Sequence, residues 1–170
     1  IAPSPLAMPD GKIFLTAGYG AGSMIIQLKE NNGTFSYTIL QQYKPVSGLA
    51  CEQQTPIFWN GKLFGIMPKD GGQNRNRFVC VDPSDCTKFL WTSEEARFGL
   101  GPYILADGKF YLLNDDGTLY IIDANTERFK ILDSKPIIAD GHDAWAPIAI
   151  ADGYMLLRDA NTMACISIGN

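Results

Sequence analysis

Histidine is almost absent from this sequence, with His142 the only one in 170 residues. A zinc centre built on several imidazoles is therefore excluded within the chain. Clustered positive charge is also lacking. The 14 Lys and Arg are outnumbered by 18 Asp and Glu, giving a net charge of -4. Phosphate backbones are held by grouped cations, so no nucleic-acid interface is expected. The densest basic stretch, Lys69 to Arg77, is broken by glycines. No apolar run approaches the roughly 18 residues that cross a bilayer as a helix, so no membrane-spanning segment is expected. No segment carries a 3.6-residue apolar period of helix length, and Ser93 to Phe98 allows one helical turn at most. The four cysteines contain no CxxC pair, against a zinc knuckle or a thioredoxin-type site. Cys80 and Cys86 are spaced either to bridge the ends of a hairpin or to remain buried thiols, and spacing leaves both open. The chain starts Ile1-Ala-Pro-Ser4, with no initiator Met and no charged leader. That start reads as a cut edge.

What the sequence has is apolar bulk and a repeat. Hydrophobic residues make up 46% and aromatics 11%, enough for one domain with a core. An apolar run, an Asp-Gly or Asn-Gly pair and a second apolar run occur four times. The copies are Pro5-Leu-Ala-Met-Pro-Asp-Gly-Lys-Ile-Phe-Leu15, Pro56-Ile-Phe-Trp-Asn-Gly-Lys-Leu-Phe64, Pro102-Tyr-Ile-Leu-Ala-Asp-Gly-Lys-Phe-Tyr-Leu112 and Pro147-Ile-Ala-Ile-Ala-Asp-Gly-Tyr-Met-Leu-Leu157. Their glycines, Gly11, Gly61, Gly108 and Gly153, recur at 50, 47 and 45 residues. Asp-Gly and Asn-Gly suit type I′ hairpin turns, which need positive φ at both central residues. The flanking Ile, Leu, Phe and Tyr suit a packed, pleated surface.

A second hairpin follows each copy. In the third, Phe110–Asn114 turns through Asp115-Asp-Gly117 into Thr118–Asp123, and Phe129–Leu132 is predicted as a fourth strand. The second matches with Arg77–Asp82 and Lys88–Trp91. The first has Ser23–Leu28 and Phe35–Leu40 around Asn31-Asn-Gly33. The last stops after Met163–Ile168. Four antiparallel strands every 45–50 residues is the blade of a β-propeller. The fold class expected is all-β, one partial propeller over residues 1–170, with blades at about 5–44, 55–92, 101–133 and 146–170.

The stretch Ala106–Ala124, with its Asp-Gly-Lys and its Asp-Gly-Thr-Leu-Tyr-Ile-Ile-Asp-Ala, resembles the repeat of pyrroloquinoline-quinone-like (PQQ-like) propellers. So does Phe89-Leu-Trp91, which ends a blade on a tryptophan. Ala17–Ser23, Asp143–Pro147 and Leu156–Asp159 are similar to a subgroup of exported bacterial members, near their C-terminal end. The resemblance spans essentially the whole chain. It implies a periplasmic or extracellular location and a closed disc of about seven or eight blades. Four blades leave two raw edges. The expected partner is then a missing N-terminal half of the propeller or a second copy of the chain.

Links between blades carry the candidate binding residues. They are predicted at Tyr43–Thr55, Thr92–Gly101 and Ser134–Ala146, and hold Glu52, Gln53, Gln54, Glu95, Arg97, His142, Asp143 and Trp145. Loops on a rigid scaffold commonly bind ligands, although most polar link residues are simply solvated. His142 and Asp143 are adjacent, but neighbours on a strand face opposite ways, so adjacency alone makes no catalytic pair. Gly18-Tyr-Gly-Ala-Gly22 precedes a strand rather than a helix, which excludes a dinucleotide fingerprint. It reads as a bulged hairpin connection with Tyr19 free to reach a ligand. Arg158 is expected to support loops through a carboxylate pair. Trp59, Trp91 and Trp145 are expected as packing anchors. The leading function is a non-catalytic binding module for a protein, peptide or glycan. The alternative is part of a quinoprotein dehydrogenase, for which the resemblance implies PQQ, a Ca²⁺ site of Glu, Asn and Asp, and adjacent cysteines; no such cysteine pair is present. A glycan-active enzyme would need paired carboxylates, with only Glu52, Glu95 and Asp143 placed for the work.

Overall fold

Each repeated dipeptide is a tight turn with both residues left-handed. The φ values are 61° and 69° at Asp10-Gly11, 48° and 74° at Asn60-Gly61, 47° and 67° at Asp107-Gly108, and 50° and 76° at Asp152-Gly153. Three of these turns are two-residue hairpin loops; in the first blade Met8 pairs with Lys12, so Pro9 widens the connection to three residues.

The computed structural model describes residues 2–169. Around the first turn lie β1 (Leu6–Met8), β2 (Lys12–Ala17), β3 (Gly22–Asn31) and β4 (Thr34–Tyr43). Around the second lie β5 (Ile57–Trp59), β6 (Lys62–Ile66), β7 (Phe78–Val81) and β8 (Phe89–Thr92). The third has β9 (Tyr103–Ala106), β10 (Lys109–Leu113), β11 (Thr118–Asp123) and β12 (Ile131–Pro136). The fourth has β13 (Ala149–Ala151), β14 (Tyr154–Arg158) and β15 (Met163–Ser167). Each group is a separate antiparallel sheet in simple sequential order, with four, four, four and three strands among the described residues. The chain is all-β, in the blade arrangement of a β-propeller.

The predicted outer strand of the third blade is corrected. It runs Ile131–Pro136 rather than Phe129–Leu132, because it pairs along β11 from Ile122 back to Thr118, with a one-residue bulge at Leu132. The third link therefore begins after Pro136, not at Ser134. Register shifts also separate Ile25 from Ile26 and Cys80 from Val81, so each four-stranded blade bulges between its third and fourth strands. Such bulges bend and twist the outer strand.

The sheets fall into two compact units, Ile1–Arg97 and Phe98–Asn170. In the first, Phe14 and Ile25 of one blade pack with Leu63, Val79 and Val81 of the next. Phe14 is fully buried, worth about 2 kcal/mol of transfer free energy. The other face of β6 and β7 holds aromatics: Phe64 lies 5.8 Å from Trp91 and 6.0 Å from Trp59 between ring centroids. In the second unit, Leu113 and Leu119 pack with Met155 and Leu157. Cys80 and Cys86 are buried free thiols, so no bridge joins them. Among the described residues no helix is long and apolar enough to cross a membrane.

Candidate functional site

In a four-stranded meander, the turn between strands two and three lies at the same end as the points where the chain enters and leaves the sheet. All eight candidate residues sit at that end of their own blade. Tyr19 is in the β2–β3 loop, Glu52 and Gln53 are in the first link and Arg97 is in the second. His142, Asp143 and Trp145 are in the third link, and Arg158 ends β14.

In the first unit, the sequence Gly-Tyr-Gly bends the chain sharply. Tyr19 and Gly20 have φ of 59° and 79°, and Ala21 N–H closes onto Gly18 O at 3.2 Å. The loop is tied to the next blade, where Asp70 Oδ2 accepts the Gly20 N–H at 2.7 Å. Beneath it lies Glu52, which is buried rather than solvated. A methyl at Gly18 would overlap the Glu52 side chain. Glu52 Oε2 accepts the Lys69 N–H at 3.3 Å. The link is pinned at its preceding residue too, since Cys51 N–H donates to Thr16 Oγ1 at 2.7 Å. Tyr19 itself is 89% exposed. Gln53 is half-buried beside this cluster in sequence. Arg97 is exposed, and its guanidinium donates to the backbone oxygens of Arg75 and Gln73, bracing the β6–β7 loop.

In the second unit, Asp115 is the organising group. Its Oδ1 accepts the Trp145 indole N–H at 3.1 Å and the Leu100 N–H at 3.3 Å. Trp145 is thus a half-buried anchor. Asp159 accepts backbone N–H groups from Thr162 at 2.6 Å, Asn161 at 2.8 Å and His142 at 3.3 Å. The Thr162 and Asn161 bonds hold its carboxyl below the usual range. Arg158 does not form the expected carboxylate pair; its Nε donates to the Asp159 backbone oxygen at 3.2 Å.

His142 and Asp143 do meet, with Nδ1 and Oδ2 3.4 Å apart. The reason is backbone: Asp143 has φ of 53°, so strand alternation does not apply. The other ring nitrogen lies 3.0 Å from Asn161 Nδ2. The imidazole thus lies between a carboxylate and a side-chain amide. Both ring nitrogens therefore have polar neighbours within 3.4 Å.

Sequence reasoning missed the carboxylates that matter most: Asp70, Asp115 and Asp159. Asp159 opens a tight turn, as Asx chemistry allows, while Asp115 sits inside the turn closed by Gly117 N–H onto Asn114 O. Asp70 carries no local signal, because its partner is 50 residues away.

Among the described residues no group of three or more His, Cys, Asp or Glu is placed to hold a metal ion. Glu52, Asp70, Asp115 and Asp159 each spend oxygen atoms on N–H donors. The grouped carboxylates that a PQQ–Ca²⁺ centre needs are thus not assembled among the described residues. An apolar hollow of about 350 Å³ lies beside the Tyr19 loop, lined by Pro3, Pro5, Leu15, Ala17, Ala21 and Met24 among others.

No protein-family model matches the chain, and no curated protein matches it in sequence. Solved structures do match in shape. AztD from Citrobacter koseri is 19% identical with a TM-score of 0.56, over 98% of this chain and 43% of AztD. BamB from Moraxella catarrhalis is 10% identical with a TM-score of 0.55, over 96% of this chain and 41% of BamB. The computationally designed Ika4 protein is 14% identical with a TM-score of 0.60, over 98% of this chain and 92% of Ika4. The chain thus spans less than half of AztD and BamB. At these identities the likeness shows the fold, a β-propeller, and nothing of the activity.

Proposed function

We propose that this chain is a non-catalytic propeller module whose link-end loops bind a protein or peptide. Tyr19 carries the proposal. A bulky L-residue in the left-handed region costs roughly 1 kcal/mol, and at 89% exposure Tyr19 recovers nothing by burial. Strain held in a stapled loop, with an aromatic facing solvent, is the arrangement of a binding residue. Tyrosine is also a favoured anchor in protein interfaces. Around it the carboxylates are committed to backbone N–H groups, which leaves acid–base chemistry without a free pair.

The finer likeness to exported PQQ-like propellers, carried by Ala106–Ala124 and Phe89–Trp91, supports a periplasmic or extracellular location. It also supports reading the four blades, at about 5–44, 55–92, 101–133 and 146–170, as one partial propeller. No observation favours the quinoprotein reading.

Panning the chain against a displayed random-peptide library tests the proposal, with a glycan array in parallel. Enriched peptides should lose affinity at least about tenfold in Tyr19→Ala, or roughly 1.4 kcal/mol. Peptide binding indifferent to Tyr19→Ala, or binding on the glycan array alone, would overturn it.

A further inference from the structure

We infer that the first blade of one copy of this chain receives the fourth blade of a second copy, so that two copies close head to tail. The inference does not depend on the ligand of the Tyr19 loop. It rests on a register that repeats through the sheets. Within each unit, the residue three past the first turn glycine faces the following blade: Phe14 meets the second blade's Leu63 cluster, and Tyr111 packs against the cluster holding Met155 and Leu157. In the second blade of each unit, residues at even offsets past the glycine face the preceding blade, as Leu63, Met155 and Leu157 do.

Two faces in that register carry exposed apolar side chains. On the fourth blade, Leu156 stands where Phe14 stands in the first, and is paired to Cys165 as Phe14 is paired to Ile25. Phe14 and Ile25 are buried, whereas Leu156 is 41% exposed, with Tyr154 at 54% and Met163 at 70%. On the first blade, Ile13 and Leu15 stand where Met155 and Leu157 stand in the fourth, and pair with Ile26 and Met24. Tyr37 and Ile39 extend this face, 66% and 47% exposed. The two faces complement each other. The first blade presents the apolar hollow of about 350 Å³, and the fourth presents protruding Tyr154, Leu156 and Met163. Each is one half of a contact the chain already makes between consecutive blades. Exposed apolar faces of this kind mark interaction surfaces. A heterologous contact that closes gives a discrete pair, and one that does not gives fibres.

Light scattering after size exclusion tests this at about 50 μM protein. The expected species has twice the chain mass of 18.7 kDa. Leu156→Lys and Met24→Glu should each give single copies, because each spoils one side of both contacts. An equal mixture of the two variants should restore a pair at least about tenfold tighter than either alone, since each supplies the intact face the other lacks. Leu156 is exposed and Met24 half-buried in the wall of the hollow, and circular dichroism checks that each variant keeps its fold. Cys165 gives a second readout that needs no variant: its reaction with a thiol reagent should quicken on dilution as the pair dissociates. A single copy for the unaltered chain, an open-ended size distribution, or Cys165 reactivity independent of concentration would overturn the inference. In the first case further blades of a longer chain are what cover the faces.

Discussion

Asp159 Oδ2 accepts the backbone N–H of His142, 3.3 Å away, from a turn that lies 17 residues further along the chain. The same device recurs at the link end of other blades. Asp115 takes the Trp145 indole N–H, Asp70 takes the Gly20 N–H and Glu52 takes the Lys69 N–H. Link loops have no ladder partners of their own, so their buried donors need acceptors from elsewhere. A carboxylate from a neighbouring turn supplies one and fixes the loop. These four carboxylates hold loops in place, and Tyr19, on the loop that Asp70 holds, meets solvent.

Removing such a staple should be felt. Asp159→Ala leaves the Thr162, Asn161 and His142 N–H groups without their acceptor. Melting temperature should fall by several degrees at neutral pH. The Asp159 carboxyl is held below its ordinary value in the fold. Its contribution is therefore present above the unfolded value of about 3.9 and lost as pH falls through the lower folded one. Melting curves of the two proteins should converge in acid. Arg158→Ala removes a single bond to a backbone oxygen, and should change stability by no more than about 0.5 kcal/mol.

The blades were legible because their signal is local. Asp-Gly or Asn-Gly must turn left-handed, and the apolar residues on each side alternate. Legibility failed where partners are remote or where the period breaks. β12 continues to Pro136 because it pairs along β11 as far as Thr118, and the polar run Asp133-Ser-Lys135 carries no apolar alternation to announce it. The contact of His142 with Asp143 was hidden because one φ of 53° undoes the strand geometry assumed for neighbours. Glu52 read as a candidate binding residue on a link loop, yet it is buried under Gly18, 34 positions earlier in the sequence. No pattern within a window of a dozen residues reports that.

Gly18→Ala checks that packing. The added methyl would overlap the Glu52 side chain, which is buried and bonded to Lys69 and cannot simply swing away. Overpacking of this kind costs about 1–3 kcal/mol. Denaturant titration should show the loss as a lower midpoint with an unchanged slope. Gly20→Ala distinguishes sterics from backbone strain: there is open space at Gly20, but its φ is 79°, so about 1 kcal/mol of strain should appear alone.

The buried thiols set an alkaline limit. Burial pushes Cys80 and Cys86 up to about 12, from an ordinary value near 9.0. Between those values the unfolded chain releases protons that the folded one keeps, so stability should fall as pH rises from about 9 to 12. Denaturation at stepped pH should show this decline, and Cys80→Ala with Cys86→Ala should flatten it. Cys51, Cys80 and Cys86 should react with a thiol reagent only on unfolding, while Cys165, exposed on the fourth blade, should react first.

Tyr19→Gly separates stability from binding. The native φ of 59° is strained for tyrosine and free for glycine. The side chain is 89% exposed, so little packing is lost with it. The variant should be more stable by about 0.5–1 kcal/mol, because relief of backbone strain outweighs the added freedom of the unfolded chain. If the ring were only a surface ornament, that gain would come without loss. As a binding anchor it should instead cost affinity for selected peptides, in step with Tyr19→Ala. Thermal melts and peptide titrations on the same preparations give both numbers. A stabilised variant with weakened binding is the expected pair of results. A destabilised variant would mean that Tyr19 is held by packing, and that its left-handed backbone serves the loop rather than a ligand.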